Sequence, residues 1–388
     1  MKKLILISCV LTMALSCTRE HLAETDHAIS FDTYAVRTKA GDSYISKNIP
    51  EGGTFGVFAY FHPAVSDNQA GSWTDKIQGS ANANRANLML NQPVEKVCPS
   101  ANTYSYYYPD NQSRYWPRNP NDRISFFAYY PYAAGGFNSN AEDATGITLQ
   151  DPDDDTYGYS HNPVGFPKFR FSVHKDPSEQ VDFMISDMCL DQCKTTDKKV
   201  LTGADGTVMF TFHHMLSQIR IKEVRILSDN DKVTVTIDSV KFTGVPVRGI
   251  VTPSIHDISS IGDNGYARMD FTWSGLYTDA SGFRVPLHHT GDSDIMLMIP
   301  HTFTEKDKIE VYYSITREDS ELGEHYTYRD NILSARLDAS GTTGWERNKI
   351  YNYNISFSLK DIRLSAEVED WPEASTDVNT IRVDLVNT

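Results

Sequence analysis

Apolar and polar residues alternate along much of the chain with a period of two. Ile309, Val311, Tyr313 and Ile315 alternate with Glu310, Tyr312 and Ser314, and Tyr351, Tyr353, Ile355 and Phe357 alternate with Asn352, Asn354, Ser356 and Ser358. Such runs place one face of a strand in a core and the other in water. Shorter strands are predicted at residues 29–33, 54–61, 104–108, 181–185, 208–213 and 295–299, with another near 86–90. Residues 124–130 (ISFFAYY) are apolar on both faces, the pattern of a strand buried between layers, and Pro131 ends the run. Within 215–226 the inward set shifts from Ile219 and Ile221 to Val224 and Ile226, so a bulge is expected near Lys222 and Glu223. A second parity change separates Val233, Val235 and Ile237 from Val240 and Phe242. Residues 133–180 are rich in Gly, Asn, Asp and Pro and are expected to be long surface loops. With few windows of helical periodicity, the fold class is all-β.

A chain of 388 residues has room for two cores. The polar, lysine-bearing segment before Gly206 sets the expected boundary, giving sandwiches over 29–205 and 206–388 in series. Ahead of them, Lys2 and Lys3 precede an apolar run over 4–15, too short to span a bilayer, which reads as a signal peptide over 1–16. Residues 17–28 are a polar tether.

Charge narrows the partners. The formal net charge is −15, and loss of Lys2 and Lys3 with the signal takes it to −17, so nucleic acid and anionic headgroups are repelled. Of the five cysteines, Cys9 leaves with the signal. Cys189 and Cys193 are a candidate disulfide in an oxidising compartment, or else two thiols. A C-x3-C pair alone supplies too few ligands for zinc.

No cofactor or metal is implied. The chain carries no G-x-S-x-G elbow, H-E-x-x-H or P-loop, and an enzyme is not expected. His213–His214 and His288–His289 are adjacent pairs, which a strand turns to opposite faces, so neither clamps a metal. The acidic run 151–155 lacks the glycine and the bidentate Glu of a calcium loop, with Asn162 at the latter position. Trp73, Tyr157 and Tyr159 are candidates to stack on sugars, though sequence does not separate them from core aromatics.

Residues 14–17 (ALSC) resemble the lipobox cut by bacterial signal peptidase II, which makes Cys17 the lipidated residue. Other segments resemble the fimbrillin family of Bacteroidales lipoproteins: residues 124–131 its aromatic strand before a proline, 212–217 (FHHMLS) its F-x-H-x-x-S/A motif, and 295–300 and 348–353 its later strands. Residues 369–371 (EDW) resemble its C-terminal tryptophan, and 29–41 its opening strand and basic processing region. The resemblance implies two transthyretin-like sandwiches, an outer-membrane or fimbrial location reached by a palmitoylated precursor, and other fimbrial subunits as partners, with host or bacterial surface ligands besides. It also implies cleavage after a basic residue beyond the first strand, here Arg37 or, second, Lys39. A strand from the next subunit then fills the opened groove. Ile381, Val383 and Leu385 share one face and are candidates for that donor, or for the last strand of their own domain. The alternative function is a surface lipoprotein that binds glycans or host ligands without polymerising.

Overall fold

The computed structural model describes residues 28–33, 49–73, 86–100, 103–110, 112–135, 145–150, 166–194, 207–226, 233–256, 266–286, 295–319, 323–358 and 362–371. Cys17, Arg37, Lys39, Ile381, Val383 and Leu385 lie outside them, as do the 151–155 run, Tyr157, Tyr159, His288 and His289.

Among the described residues strands dominate, with 3-10 turns at Pro177–Glu179 and Leu337–Ser340. The chain runs through β1 (Ser30–Thr33), β2 (Thr54–His62), β3 (Met89–Ser100), β4 (Thr103–Tyr107), β5 (Arg123–Tyr130), β6 (Gly146–Leu149) and β7 (Phe169–Ser172). Next are β8 (Met184–Ser186), β9 (Met188–Gln192), β10 (Thr207–Phe210), β11 (Phe212–His214), β12 (Ser217–Ile226), β13 (Val233–Thr243) and β14 (Pro246–Ile255). Then come β15 (Tyr266–Ala267), β16 (Met269–Thr278), β17 (Phe283–Pro286), β18 (Ile295–Met298), β19 (His301–Thr302) and β20 (Lys308–Asp319). The last four are β21 (Glu324–Arg336), β22 (Gly344–Trp345), β23 (Lys349–Phe357) and β24 (Ile362–Asp370).

β2 and β5 pair antiparallel, from Gly56 opposite Tyr129 to His62 opposite Arg123. Alternation sorts their side chains into two cores. Phe55, Val57, Ala59, Ile124, Phe126 and Ala128 enter one cluster, while Phe58, Tyr60, Phe127 and Tyr129 enter the other. That is why residues 124–130 are apolar throughout: both faces of β5 are interior. Gly56 is required by the same packing, since a Cβ there would overlap the Tyr129 ring. The Tyr129 hydroxyl in turn donates to Asn91 Oδ1 at 2.6 Å and accepts the Ala133 N–H at 3.0 Å.

The second half forms four-stranded sheets in the orders β18-β12-β23-β24 and β17-β13-β20-β21, and its β16 and β14 join β7 and β6 of the first half in a third. Both expected breaks in parity occur. β12 shifts register against β23 between Ile221 and Glu223, and β13 shifts against β20 between Ile237 and Ser239.

Three expectations are corrected. The 133–180 segment is not only loop: it holds β6 and β7, and Phe166, Phe169, Phe171 and Val173 are buried. Four-residue strands flanked by glycine- and aspartate-rich stretches are too short for alternation to register. Trp73 is not a surface platform; it is fully buried, stacked on Phe166 at 5.7 Å and edge-on to Tyr60 at 5.0 Å. Cys189 and Cys193 are buried but not bonded to each other. Cys189 lies in β9 and Cys193 just after it. The Cys189 thiol donates instead to the Met209 carbonyl at 3.3 Å.

Strand pairing also crosses residue 206. β10 joins β1, β11 joins β8, β15 joins β9, and β14 joins β7.

Candidate functional site

The most distinctive local arrangement surrounds β1. Ile29 and Phe31 are two apart, so they point to one side, and there they are 1% and 3% exposed. β1 pairs parallel with β10, Ser30 opposite Thr207 through Thr33 opposite Phe210, and the Ser30 and Thr207 hydroxyls meet at 2.8 Å. On its other side, Ala28 bridges Tyr115, and the Ile29 N–H donates to the Arg114 carbonyl at 2.7 Å. The short strand is thus held between two backbone rails contributed by distant parts of the chain.

Aromatic rings line the groove. Phe31 stacks on Phe210 at 5.6 Å and 16°, and meets Phe55, Phe126 and Tyr108 edge-on at 6.3, 5.9 and 6.2 Å. Each such pair adds about 0.5–1.5 kcal/mol beyond area burial. The Tyr108 hydroxyl donates to the Ile29 carbonyl at 3.0 Å, so the groove also grips the strand's backbone. Burial pushes the Tyr108 phenol far above its usual range, against the pull of Arg114. Arg114 is itself braced by Gln92 Oε1 at 2.6 Å and Asp110 Oδ2 at 3.3 Å, which fixes the rail that receives Ile29.

At its other end the described chain closes on a second constellation. The Trp371 indole stacks on His214 at 3.9 Å and 11°, and the Trp371 N–H donates to the Asn348 carbonyl at 2.9 Å. His214 Nδ1 meets Asp182 Oδ1 at 3.0 Å, and His213 Nε2 lies 3.0 Å from Asp187 Oδ2. The two histidines point to opposite faces, as adjacent strand residues should, and each meets a carboxylate. Ser217 donates to the Glu346 carbonyl at 2.7 Å. The segments 212–217 and 369–371, far apart in sequence, therefore meet in one stack.

Among the sequence-stipulated residues, the structure brings Phe31 and the 212–217 segment to the same aromatic cluster through Phe212, which lies 5.9 Å from both Phe55 and Phe210. Arg37 is four residues past the end of β1 in sequence. Sequence reading found the strand at 208–213 but not its partnership with β1. Val208 and Phe210 alternate as Ile29 and Phe31 do, yet alternation alone does not say which strands pair. Among the described residues no group of three or more His, Cys, Asp or Glu is placed to hold a metal.

A family model described as fimbrillin-like matches residues 38–371. Among solved structures, the chain is similar to a fimbrial protein from Bacteroides vulgatus ATCC 8482, at 16% identity and a TM-score of 0.52, over 89% of this chain and 100% of that one. It is also similar to a fimbrilin from Porphyromonas gingivalis W83, at 9% identity and a TM-score of 0.41, over 90% of this chain and 99% of that one. No curated protein matches it. The family match begins beyond β1 and runs through the rest of both cores to the His214–Trp371 stack, and the chain belongs to the fimbrillin-like family.

Proposed function

We propose that this chain is a fimbrial subunit in which β1 is a removable plug, and that assembly replaces it with a strand from a neighbouring subunit. The observation that carries the reading is the seating of β1: four residues, two apolar anchors, and backbone partners on both sides, all N-terminal to Arg37. In this reading Cys17 carries the lipid that delivers the precursor to the outer membrane. A protease then cuts after Arg37, or after Lys39.

Loss of β1 would bare the β10 edge and the pocket of Phe55, Phe126 and Phe210, a surface that seeks an extended strand. Ile381, Val383 and Leu385 repeat the period-two spacing of Ile29 and Phe31 with one anchor more. At roughly 1.5–3 kcal/mol per buried aliphatic side chain, three such anchors supply roughly 4.5–9 kcal/mol to a groove that cleavage has opened.

The test is made on native material and on two recombinant forms. Assembled protein from the cell surface should begin at residue 38 or 40 by mass spectrometry. A chain starting at residue 38 should form ladders that survive mild denaturation, whereas the chain retaining β1 should not. Replacing Ile381, Val383 and Leu385 by Asp should abolish the ladders and leave the monomer's melting unchanged. Assembled material that still begins at Cys17 overturns the cleavage step. A trimmed chain that stays monodisperse supports the non-polymerising lipoprotein.

A further inference from the structure

A second concavity, in the other half of the molecule, is built differently from the β1 groove. It is a cleft of about 640 Å³ between β16, the β19–β22 pair and the start of β23. That volume lies in the range of small-ligand sites. Its aromatic wall is Phe271 and Trp273, two apart on β16 and so on one face.

Trp273 is unusual among the five tryptophans. Trp73, Trp116, Trp345 and Trp371 are buried, and Trp273 alone is half-buried. It is held rigidly. Its indole N–H donates to the Met215 carbonyl at 3.1 Å, and its benzo edge lies over Gly249, where a Cβ would come within 2.8 Å of the ring. A fixed, partly wet indole offers a flat apolar face at little entropic cost.

The rest of the lining is cationic. Arg268, Arg347 and Lys349 line it, with Glu346 and Asp370. Lys349 is bonded to Asp370. Arg347 lies over the Phe271 ring at 5.0 Å, so its position is set by the aromatic wall. Arg268 is exposed and forms no ion pair with any described carboxylate. Thr302, Thr343 and Asn348 supply neutral hydrogen-bonding groups between the walls.

We propose that this cleft binds an acidic saccharide, a sugar ring against Trp273 with its carboxylate held by Arg268 and Arg347. A guanidinium pairs with a carboxylate through two parallel bonds, and a sugar offers an apolar face to an aromatic and hydroxyls to Thr and Asn. The chain as a whole carries −15 and repels diffuse anions, so selectivity for an acid has to come from this local wall. The cleft is lined from β16, β19, β22, β23 and the residues next to them, and β1 and β10 contribute none of its lining.

The test uses the uncut full chain, still carrying β1, so that its outcome is separate from polymerisation. Glucuronate, galacturonate and N-acetylneuraminate are titrated against glucose, galactose and the methyl ester of N-acetylneuraminate, by calorimetry and by tryptophan fluorescence. The acids should bind at about 0.1–1 mM and about tenfold more tightly than the neutral partners. Arg268→Gln and Arg347→Gln should each weaken binding about tenfold without moving the unfolding midpoint. Trp273→Phe should reduce the fluorescence response to whatever Trp345, the buried indole that also lines the cleft, contributes. The proposal is overturned if no acid binds by about 10 mM, if acids and neutral sugars bind alike, if the arginine variants bind as tightly as the parent, or if the fluorescence response is undiminished in Trp273→Phe. Equal affinity for an acidic dipeptide overturns the saccharide assignment.

Discussion

Replacing Phe31 by Ala tests whether β1 is a detachable element. Phe31 is 3% exposed and touches four aromatic rings, so its truncation removes a fully buried side chain from a packed site. Truncating a core Phe to Ala costs about 3–5 kcal/mol. In a strand woven into the cooperative core, all of that loss would appear in global stability. In a terminal strand of four residues, the loss saturates once β1 lets go, because the undocked strand no longer feels the substitution. Hydrogen exchange with mass spectrometry on peptides covering 28–33 and 207–210 separates the cases. Local opening of β1 and β10 should accelerate by two to nearly four orders of magnitude, at about 1.4 kcal/mol per tenfold. Peptides from β5 should exchange as in the parent, and the global denaturant midpoint should move far less than 3–5 kcal/mol requires. A full 3–5 kcal/mol global loss with β1 and β5 exchanging together would refute the plug.

Other outcomes follow from the same geometry. Gly56→Ala should destabilise the fold by about 1–3 kcal/mol in a urea melt, because the Tyr129 ring has no room to retreat without breaking its bonds to Asn91 and Ala133. Cys189 and Cys193 should resist a thiol reagent in the native protein, react once it is unfolded, and show an intact mass that reduction does not change. Burial, offset in part by the Trp345 indole bond, pushes the Tyr353 phenol up to about 12. The unfolded phenol ionises near 10, so this stabilisation is complete below pH 10 and is lost as pH rises towards 12; absorbance at tyrosinate wavelengths should rise together with unfolding in that window. Asp279 is lowered to about 2, chiefly by its bond to Lys175. The difference in midpoint between the parent and Asp279→Asn should be present at neutral pH and vanish as pH falls from about 4 to 2.

Much of this architecture is written in local periodicity. The two-faced apolar run at β5, the slip between Ile221 and Glu223 and the slip after Ile237 are all visible, because each is a statement about neighbouring residues. What escapes is non-local. The parallel partnership of β1 with β10 joins residues 177 apart, and nothing in either strand names the other. The stack of His214 on Trp371 likewise joins motifs from opposite ends of the second half. β6 and β7 hide in a glycine- and aspartate-rich stretch, and β21 hides for the opposite reason: its first seven residues are exposed on both faces, so no alternation marks them. Trp273 carries no local sign of being the one partly exposed tryptophan, since that depends on Gly249 across the sheet and on Met215 beyond it.

The direction of β1 has a mechanical consequence. Because β1 runs parallel to β10, tension on the N-terminus pulls the first strand lengthwise along its neighbour. The backbone bonds and the Phe31–Phe210 stack are then loaded together, in shear, rather than peeled one at a time. A subunit hanging from its N-terminus in a flowing medium would load this joint, and after a cut just beyond β1 the joint alone would hold the body until an incoming strand displaced β1.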